Sequence, residues 1–209
     1  MVRARFISVQ GGSAFLPRLQ RRGYPARIMM KNDIESVLFS EEQLEECVSR
    51  IAGEITRDFA GKEPVFVGVL KGSFIFIADL MRHVELNCSV DFMAVSSYGN
   101  KSTSTGAVKI NKDLSADVEG KHIIMVEDIL DSGLTLSYLT KYLQQRKPAS
   151  ISLVTLLDKP ARRKADVKPD YVGFEIPDAF VVGYGLDYAE KYRNLPYIGI
   201  LKPRVYENE

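Results

Sequence analysis

Apolar positions recur along the chain with two different periods. Leu44, Val48, Ile51, Ala52, Ile55 and Phe59 follow one another at helical spacing. They are preceded by the capping-box sequence Ser40-Glu41-Glu42-Gln43 and followed by Gly61, a helix stop. "VFVGVL" at 65–70 is a short apolar run rich in β-branched residues and predicts a buried strand. A Lys71-Gly72 turn follows, then a helical segment over 74–84. Further strands are predicted at 90–97, 107–111, 122–126, 151–157, 171–176 and 180–183, and a helix at 135–147 stopped by Pro148. The stretch "YGNKSTSTG" between the second and third of these strands is polar and reads as a loop.

Strands alternating with helices of this length predict an α/β domain with a central, mainly parallel sheet flanked by helices. In such sheets ligands collect outside the carboxyl ends of the strands. "LKGS" and "VEDILDSGLTL" both lie at such ends.

Composition narrows the picture. The chain has 209 residues, 45% of them apolar, enough for one sizeable core without requiring two domains. A formal charge of +1 gives no global basic field, which argues against nucleic acid or a membrane surface as partner. The charge is uneven, however. Residues 1–28 carry six arginines and no acid, so the remainder is net acidic. This segment shows no clear periodicity and is expected to be a disordered or dispensable basic extension, with translation naturally starting near Met29-Met30 and a single domain over 29–209. Cys47 and Cys88 form no metal or redox spacing and suit a reducing, cytoplasmic setting. The longest apolar stretch is interrupted by Lys71 and Asp79, so no membrane span is expected. His83 and His122 have no partner spacing and receive no role.

The acidic stretch carries the chemistry. A strand, a glycine turn and a helix start together present free N–H groups and the positive end of a helix dipole, so "DSGLT" reads as a phosphate cradle with Ser132 and Thr135 adding hydroxyls. Glu127, Asp128 and Asp131 would repel a phosphate and need another partner: sugar hydroxyls, a divalent cation, or a proton to move.

At this point the sequence resembles the type I phosphoribosyltransferases, whose phosphoribosyl pyrophosphate (PRPP) motif is matched by "VEDILDSGLTL". "VLKGSF", "SSYGN", "LLDKP" and the block over 172–199 match the hypoxanthine-guanine branch, and the likeness spans roughly residues 30–206. The resemblance implies the type I fold, with a small hood built from terminal segments. It also implies magnesium-dependent transfer of ribose 5-phosphate from PRPP to N9 of hypoxanthine or guanine, giving IMP or GMP and pyrophosphate. Glu127 and Asp128 would contact the ribose hydroxyls and, with Asp187, hold Mg2+. Asp131 would serve purine N7 as general acid/base, although a turn cap fits it as well. Ser132, Gly133, Leu134 and Thr135 would form the 5′-phosphate loop. Leu70, Lys71, Gly72 and Arg193 would bind pyrophosphate, the first three in a loop where the family has a non-proline cis peptide. Lys159 would read the 6-oxo group because lysine is donor-only. Phe180 would stack on the purine, Val181 would offer its backbone, and Asp187 would lie near purine position 2. Ser97 and Tyr98 would open a mobile lid. A homo-oligomer, dimer or tetramer, is implied too. The alternative is a nucleotide- or PRPP-sensing regulator on the same fold. A Rossmann oxidoreductase is excluded by the lack of G-x-G-x-x-G after an early strand.

Overall fold

A six-stranded sheet in the order β4-β3-β2-β5-β6-β7 organises the chain. The computed structural model describes residues 30–97 and 108–207. The basic segment 1–28 and most of the predicted lid, Tyr98 included, lie outside these. The strands are β2 (Val65–Leu70), β3 (Ser89–Ser97), β4 (Val108–Lys112), β5 (His122–Leu130), β6 (Ser150–Asp158) and β7 (Tyr171–Glu175). Every pairing is parallel except that of β3 with the edge strand β4.

Period-two alternation sorts the strand side chains onto two faces. Phe66, Ile124, Val126, Val154 and Leu156 pack against α1 (Glu41–Asp58) and α2 (Phe74–His83). Val65, Val67, Val69, Ile123 and Met125 pack against Leu136, Leu139 and Leu143 of α3 (Leu134–Gln144) on the other face. The predicted apolar stripe of α1 is buried along its whole length. Its capping box forms as read: Ser40 Oγ accepts from the Gln43 N–H at 3.3 Å, and Gln43 Oε1 from the Ser40 N–H at 2.9 Å.

A second, antiparallel sheet, β1-β9-β8, is assembled from both ends of the described chain: β1 (Ile34–Phe39), β8 (Val181–Val182) and β9 (Ile198–Leu201). Ile34, Val182, Tyr192, Leu195 and Leu201 form its own buried cluster. This is the implied hood. A short α4 (Pro203–Tyr206) closes the described chain, and no described helix is long and apolar enough to cross a membrane.

The sequence reading needs two corrections. β5 does not stop at residue 126. It continues to Leu130 in register with β6, ending with Leu130 opposite Asp158. Glu127 and Asp128 are therefore strand residues, not turn residues. Ladder hydrogen bonds are made by the backbone, so two polar side chains ended the apolar pattern without ending the strand. β1 and β9 were not anticipated, because each is short and exists only by pairing with a segment more than 150 residues away.

Candidate active site

The carboxyl ends of β2, β5 and β6 open beneath the hood into a cleft of about 320 Å³. Lys71, Gly72, Asp128 and Lys159 contribute from the sheet side, and Phe180, Val181, Asp187 and Arg193 from the hood side, all of them predicted site residues. Ile129 and Leu186 complete the lining and were not anticipated.

The β2 turn is held very close to β5. The Leu70–Lys71 peptide is cis. A Cβ placed on Gly72 would lie 1.6 Å from Asp128 Oδ2 and 2.4 Å from its Cγ, so any larger residue there would force the Asp128 carboxylate aside. On the other side, a Cβ on Gly185 would lie 2.1 Å from the Gly72 carbonyl oxygen, and Gly185 has φ +104, a left-handed value that glycine adopts freely. Gly72 is thus sandwiched between β5 and the hood.

Burial governs the β5 acids. Desolvation, then the neighbouring Asp128 charge, pushes the Glu127 carboxyl well above the usual carboxylate range. Its Oε2 is buried with no hydrogen-bond partner among the described residues. Asp128 is pushed up to about 6, again chiefly by burial, with the Ile129 N–H and Arg193 opposing and Asp187 adding to the rise. Two adjacent, half-buried acids resist carrying two charges. A ligand that brings hydroxyl donors or a cation relieves both.

On the hood side, Arg193 Nη1 donates to the Gly185 carbonyl at 2.8 Å, and Nη2 lies 2.8 Å from Asp187 Oδ1 and 3.4 Å from Glu190 Oε2. Its Nε is buried without a hydrogen-bond partner among the described residues. Lys71 Nζ donates to both oxygens of Glu190 at 3.1 Å. Lys159 is only 7% exposed. Its Nζ donates to the Ala179 carbonyl at 2.7 Å and lies 3.5 Å from Asp178 Oδ1. A buried lysine held by a carbonyl, with a long contact to Asp178, still has an N–H donor to turn toward a ligand. The Phe180 ring is 39% exposed, with Tyr206 stacked on it at 4.9 Å and Tyr188 edge-on at 5.5 Å.

The phosphate loop lies beside this cleft rather than on its lining. Gly133 is the N-cap of α3 at φ +77, and no side chain properly caps the helix; Ser132 Oγ is a marginal 3.5 Å from the Leu134 N–H. Among the described residues the start of α3 is thus held by no more than this long Ser132 contact, which an anion could displace. Asp131 does not line the cleft either. Its Oδ1 sits 2.8 Å from Arg162 Nε, in a geometry too bent for a hydrogen bond. Arg162 Nη1 in turn donates to both oxygens of Asp178 at 3.0 and 3.2 Å. Arg163 braces the loop from below: Nε donates to the Asp131 carbonyl at 3.1 Å and Nη1 to the Val167 carbonyl at 2.6 Å, while Nη2 pairs with Asp158. These two arginines were missed. In sequence, "KPARRK" looks like a solvated charge run, and its position directly after Lys159 was the available signal.

Ser97 ends β3 with its backbone paired to Val108. Among the described residues no three metal-ligating side chains converge into a cage; of the three expected magnesium ligands, Asp128 and Asp187 line the cleft and Glu127 does not. Consecutive residues of a strand point to opposite faces, and Asp187 reaches the cleft from the hood.

A family model described as the phosphoribosyl transferase domain matches residues 38–189. The hypoxanthine-guanine phosphoribosyltransferase of Bacillus subtilis (strain 168) is 59% identical over 180 residues, covering 86% of this chain and 100% of the relative. That of Staphylococcus aureus (strain N315) is 52% identical over 179 residues, with 86% and 100% covered. A crystal structure of a hypoxanthine phosphoribosyltransferase from Staphylococcus aureus superimposes with a TM-score of 0.84 at 52% identity, covering 86% of this chain and 98% of that one.

Proposed function

The chain belongs to the phosphoribosyl transferase domain family and, within it, to the hypoxanthine-guanine phosphoribosyltransferases; from that premise we propose that it transfers the 5-phosphoribosyl group of PRPP to N9 of hypoxanthine and guanine. The products are IMP or GMP and pyrophosphate, and the role is purine salvage. The observation that carries this reading is the convergence in one cleft of a buried lysine, an exposed aromatic ring, two β5 and hood carboxylates and two cations. The relatives are transferases, which favours an enzyme over a regulator.

The reaction breaks the C–O bond at C1 of the ribose, building positive charge on the ring and negative charge on the diphosphate. Residues on opposite sides of the cleft answer those two needs. Lys71 and Arg193 hold the departing pyrophosphate by charge-assisted hydrogen bonds. Lys159 donates to the purine 6-oxo group, Phe180 stacks on the base and Val181 presents its backbone to the purine edge. These contacts place N9 against the face of C1 opposite the leaving group. Glu127 and Asp128 accept from the ribose hydroxyls. The helix N-terminus at Ser132 to Thr135 receives the 5′-phosphate. Asp131 exchanges a proton with N7 once it leaves Arg162.

Mg2+ is usually held by one or two carboxylates together with substrate phosphate oxygens. Asp128 and Asp187 on the cleft, with the unpartnered Glu127 oxygen behind them, fit a magnesium ion that arrives with PRPP. Bound there, it would neutralise charge on the diphosphate. The catalytic unit is residues 29–209, working in the cytoplasm as a homo-oligomer, dimer or tetramer, with Ser97 and Tyr98 opening a lid over the cleft.

The test is IMP formation from hypoxanthine and PRPP with magnesium, followed by ultraviolet absorbance or chromatography, and its loss on chelation. No IMP at saturating magnesium and PRPP would reject the reading.

A further inference from the structure

Glu190 bridges the two cations that the proposed function assigns to pyrophosphate. Its oxygens both lie 3.1 Å from Lys71 Nζ, and Oε2 lies 3.4 Å from Arg193 Nη2. A carboxylate that spans two cations at these distances makes the contacts that a pair of diphosphate oxygens would make. We propose that Glu190 is an internal competitor for pyrophosphate: it occupies Lys71 and Arg193 in the free protein, has to leave when PRPP arrives, and returns as pyrophosphate departs. The inference rests on the reading of Lys71 and Arg193 as pyrophosphate ligands.

The two ends of the bridge differ in mobility. The Glu190 and Lys71 side chains are each 66% exposed, so both can swing into solvent at little cost. Arg193 is only 19% exposed and stays fixed by the Gly185 carbonyl and Asp187. Glu190 therefore can leave while the binding arginine remains in place.

Local backbone aims the carboxylate at this spot. Ala189 and Glu190 have φ +48 and +60, consecutive left-handed values that side-chain-bearing residues rarely adopt. The turn is closed by the Glu190 N–H donating to Asp187 Oδ2 at 2.9 Å. The same aspartate thus holds the arginine and the turn that carries the competing acid.

Charge gives the direction of the effect. Lys71 and Arg193 are already balanced by Asp187 and Glu190, with Asp128 adjoining them, so an incoming diphosphate meets no net positive charge. The Lys71 hydrogen bond holds the Glu190 carboxyl below its usual range, which keeps it ionised at neutral pH. Asp128 adjoins the same cluster, so removing the Glu190 charge lifts a net negative site to neutrality and eases the approach of an anion. The opposite hypothesis is that Glu190 orients the two cations, and it predicts the opposite sign.

The experiment compares wild type with Glu190→Gln and Glu190→Ala in steady-state assays with magnesium present. It reads KM for PRPP, KM for hypoxanthine, and product inhibition by pyrophosphate. The expected result is that KM for PRPP and the pyrophosphate inhibition constant fall together by about fivefold, the upper range for an exposed ion pair. KM for hypoxanthine stays within about twofold, since the purine contacts are elsewhere. An unchanged or raised KM for PRPP in variants of an active enzyme overturns this inference alone and assigns Glu190 an orienting or inert role. An increased magnesium requirement without tighter pyrophosphate binding also overturns it. A wild-type protein that makes no IMP removes both this inference and the reading beneath it.

Discussion

Gly72→Ala is the sharpest perturbation the geometry offers. The added Cβ would fall 1.6 Å from Asp128 Oδ2 and 2.4 Å from its Cγ. Ordinary carbon–carbon contact needs about 3.5–4 Å, so one of the two partners has to move by more than about 1 Å. The turn has little room to retreat toward the hood, because the Gly72 carbonyl already lies so close to the Gly185 backbone that no side chain fits between them. Asp128 is the part that yields, and it is the acid proposed to hold the ribose. A displacement of this size at a reacting centre costs on the order of 10²-fold in rate. The expected result is therefore a fall of about 10²-fold in kcat/KM for PRPP. Overpacking of this kind costs about 1–3 kcal/mol, which for a chain of this size lowers Tm by about 2–12 °C. Thermal unfolding and steady-state kinetics on the same preparations separate the two effects. The decisive arm is the double variant. In an Asp128→Ala background the clash partner is gone, so adding Gly72→Ala should cost less than about threefold further. A full 10²-fold loss in that background, or near-normal kcat/KM in Gly72→Ala itself, refutes the steric reasoning.

Three further outcomes are expected. Asp131→Asn should lower kcat by about 10²–10⁴-fold, the usual loss of a positioned acid/base, while direct PRPP binding changes little; matched losses in both would mark Asp131 as a structural acid. Lys159→Ala strips the Ala179 carbonyl of its donor and should lower kcat/KM for hypoxanthine by about 10²-fold, with KM for PRPP within about twofold; an unaltered preference for 6-oxo over 6-amino purines would count against Lys159 as the base reader. Burial alone would raise the Asp91 carboxyl, but Lys112 and the N–H groups of Ser115 and Phe92 outweigh it and bring it down to about 2. Because the folded value is depressed, this stabilisation is complete above the unfolded value near 3.8 and is lost as pH falls through about 2. Allowing for partial solvent exposure it amounts to about 1–2 kcal/mol, so Asp91→Asn should lower Tm by about 2–8 °C at pH 7 and the gap should close in acid; a gap independent of pH would contradict the assignment.

Much of the sheet was legible because its signals are local. Apolar alternation, the Ser40 capping box and the Gly133 turn each act over a few residues, so strands β2, β3 and β6 and helices α1 and α3 could be read directly. The reading failed where an element exists only by long-range pairing, as with β1 and β9, or where backbone pairing outlasted the apolar pattern, as at Glu127 and Asp128 in β5. Site residues were legible through short stretches, "VEDILDSGLTL" above all, that resemble a known family. Arg162 and Arg163 were not, because an arginine in a charge run becomes informative only when its partner is known.

The sequence by itself therefore determined the order and kind of the core elements, the glycine turns at strand ends, and the residue types that the chemistry needs. Tertiary structure alone decided which of those residues meet. Lys71 reaches Glu190 across 119 positions, Gly72 is pressed between Asp128 and Gly185, and Asp131 is drawn to Arg162. The raised acid range of Glu127 and Asp128 also belongs there, since it comes from partial burial and neighbouring charge in the assembled sheet. The physical reason is range. Periodicity and capping are fixed by neighbours along the chain, whereas desolvation, close approach and ion pairing depend on surfaces that exist only once distant segments have packed.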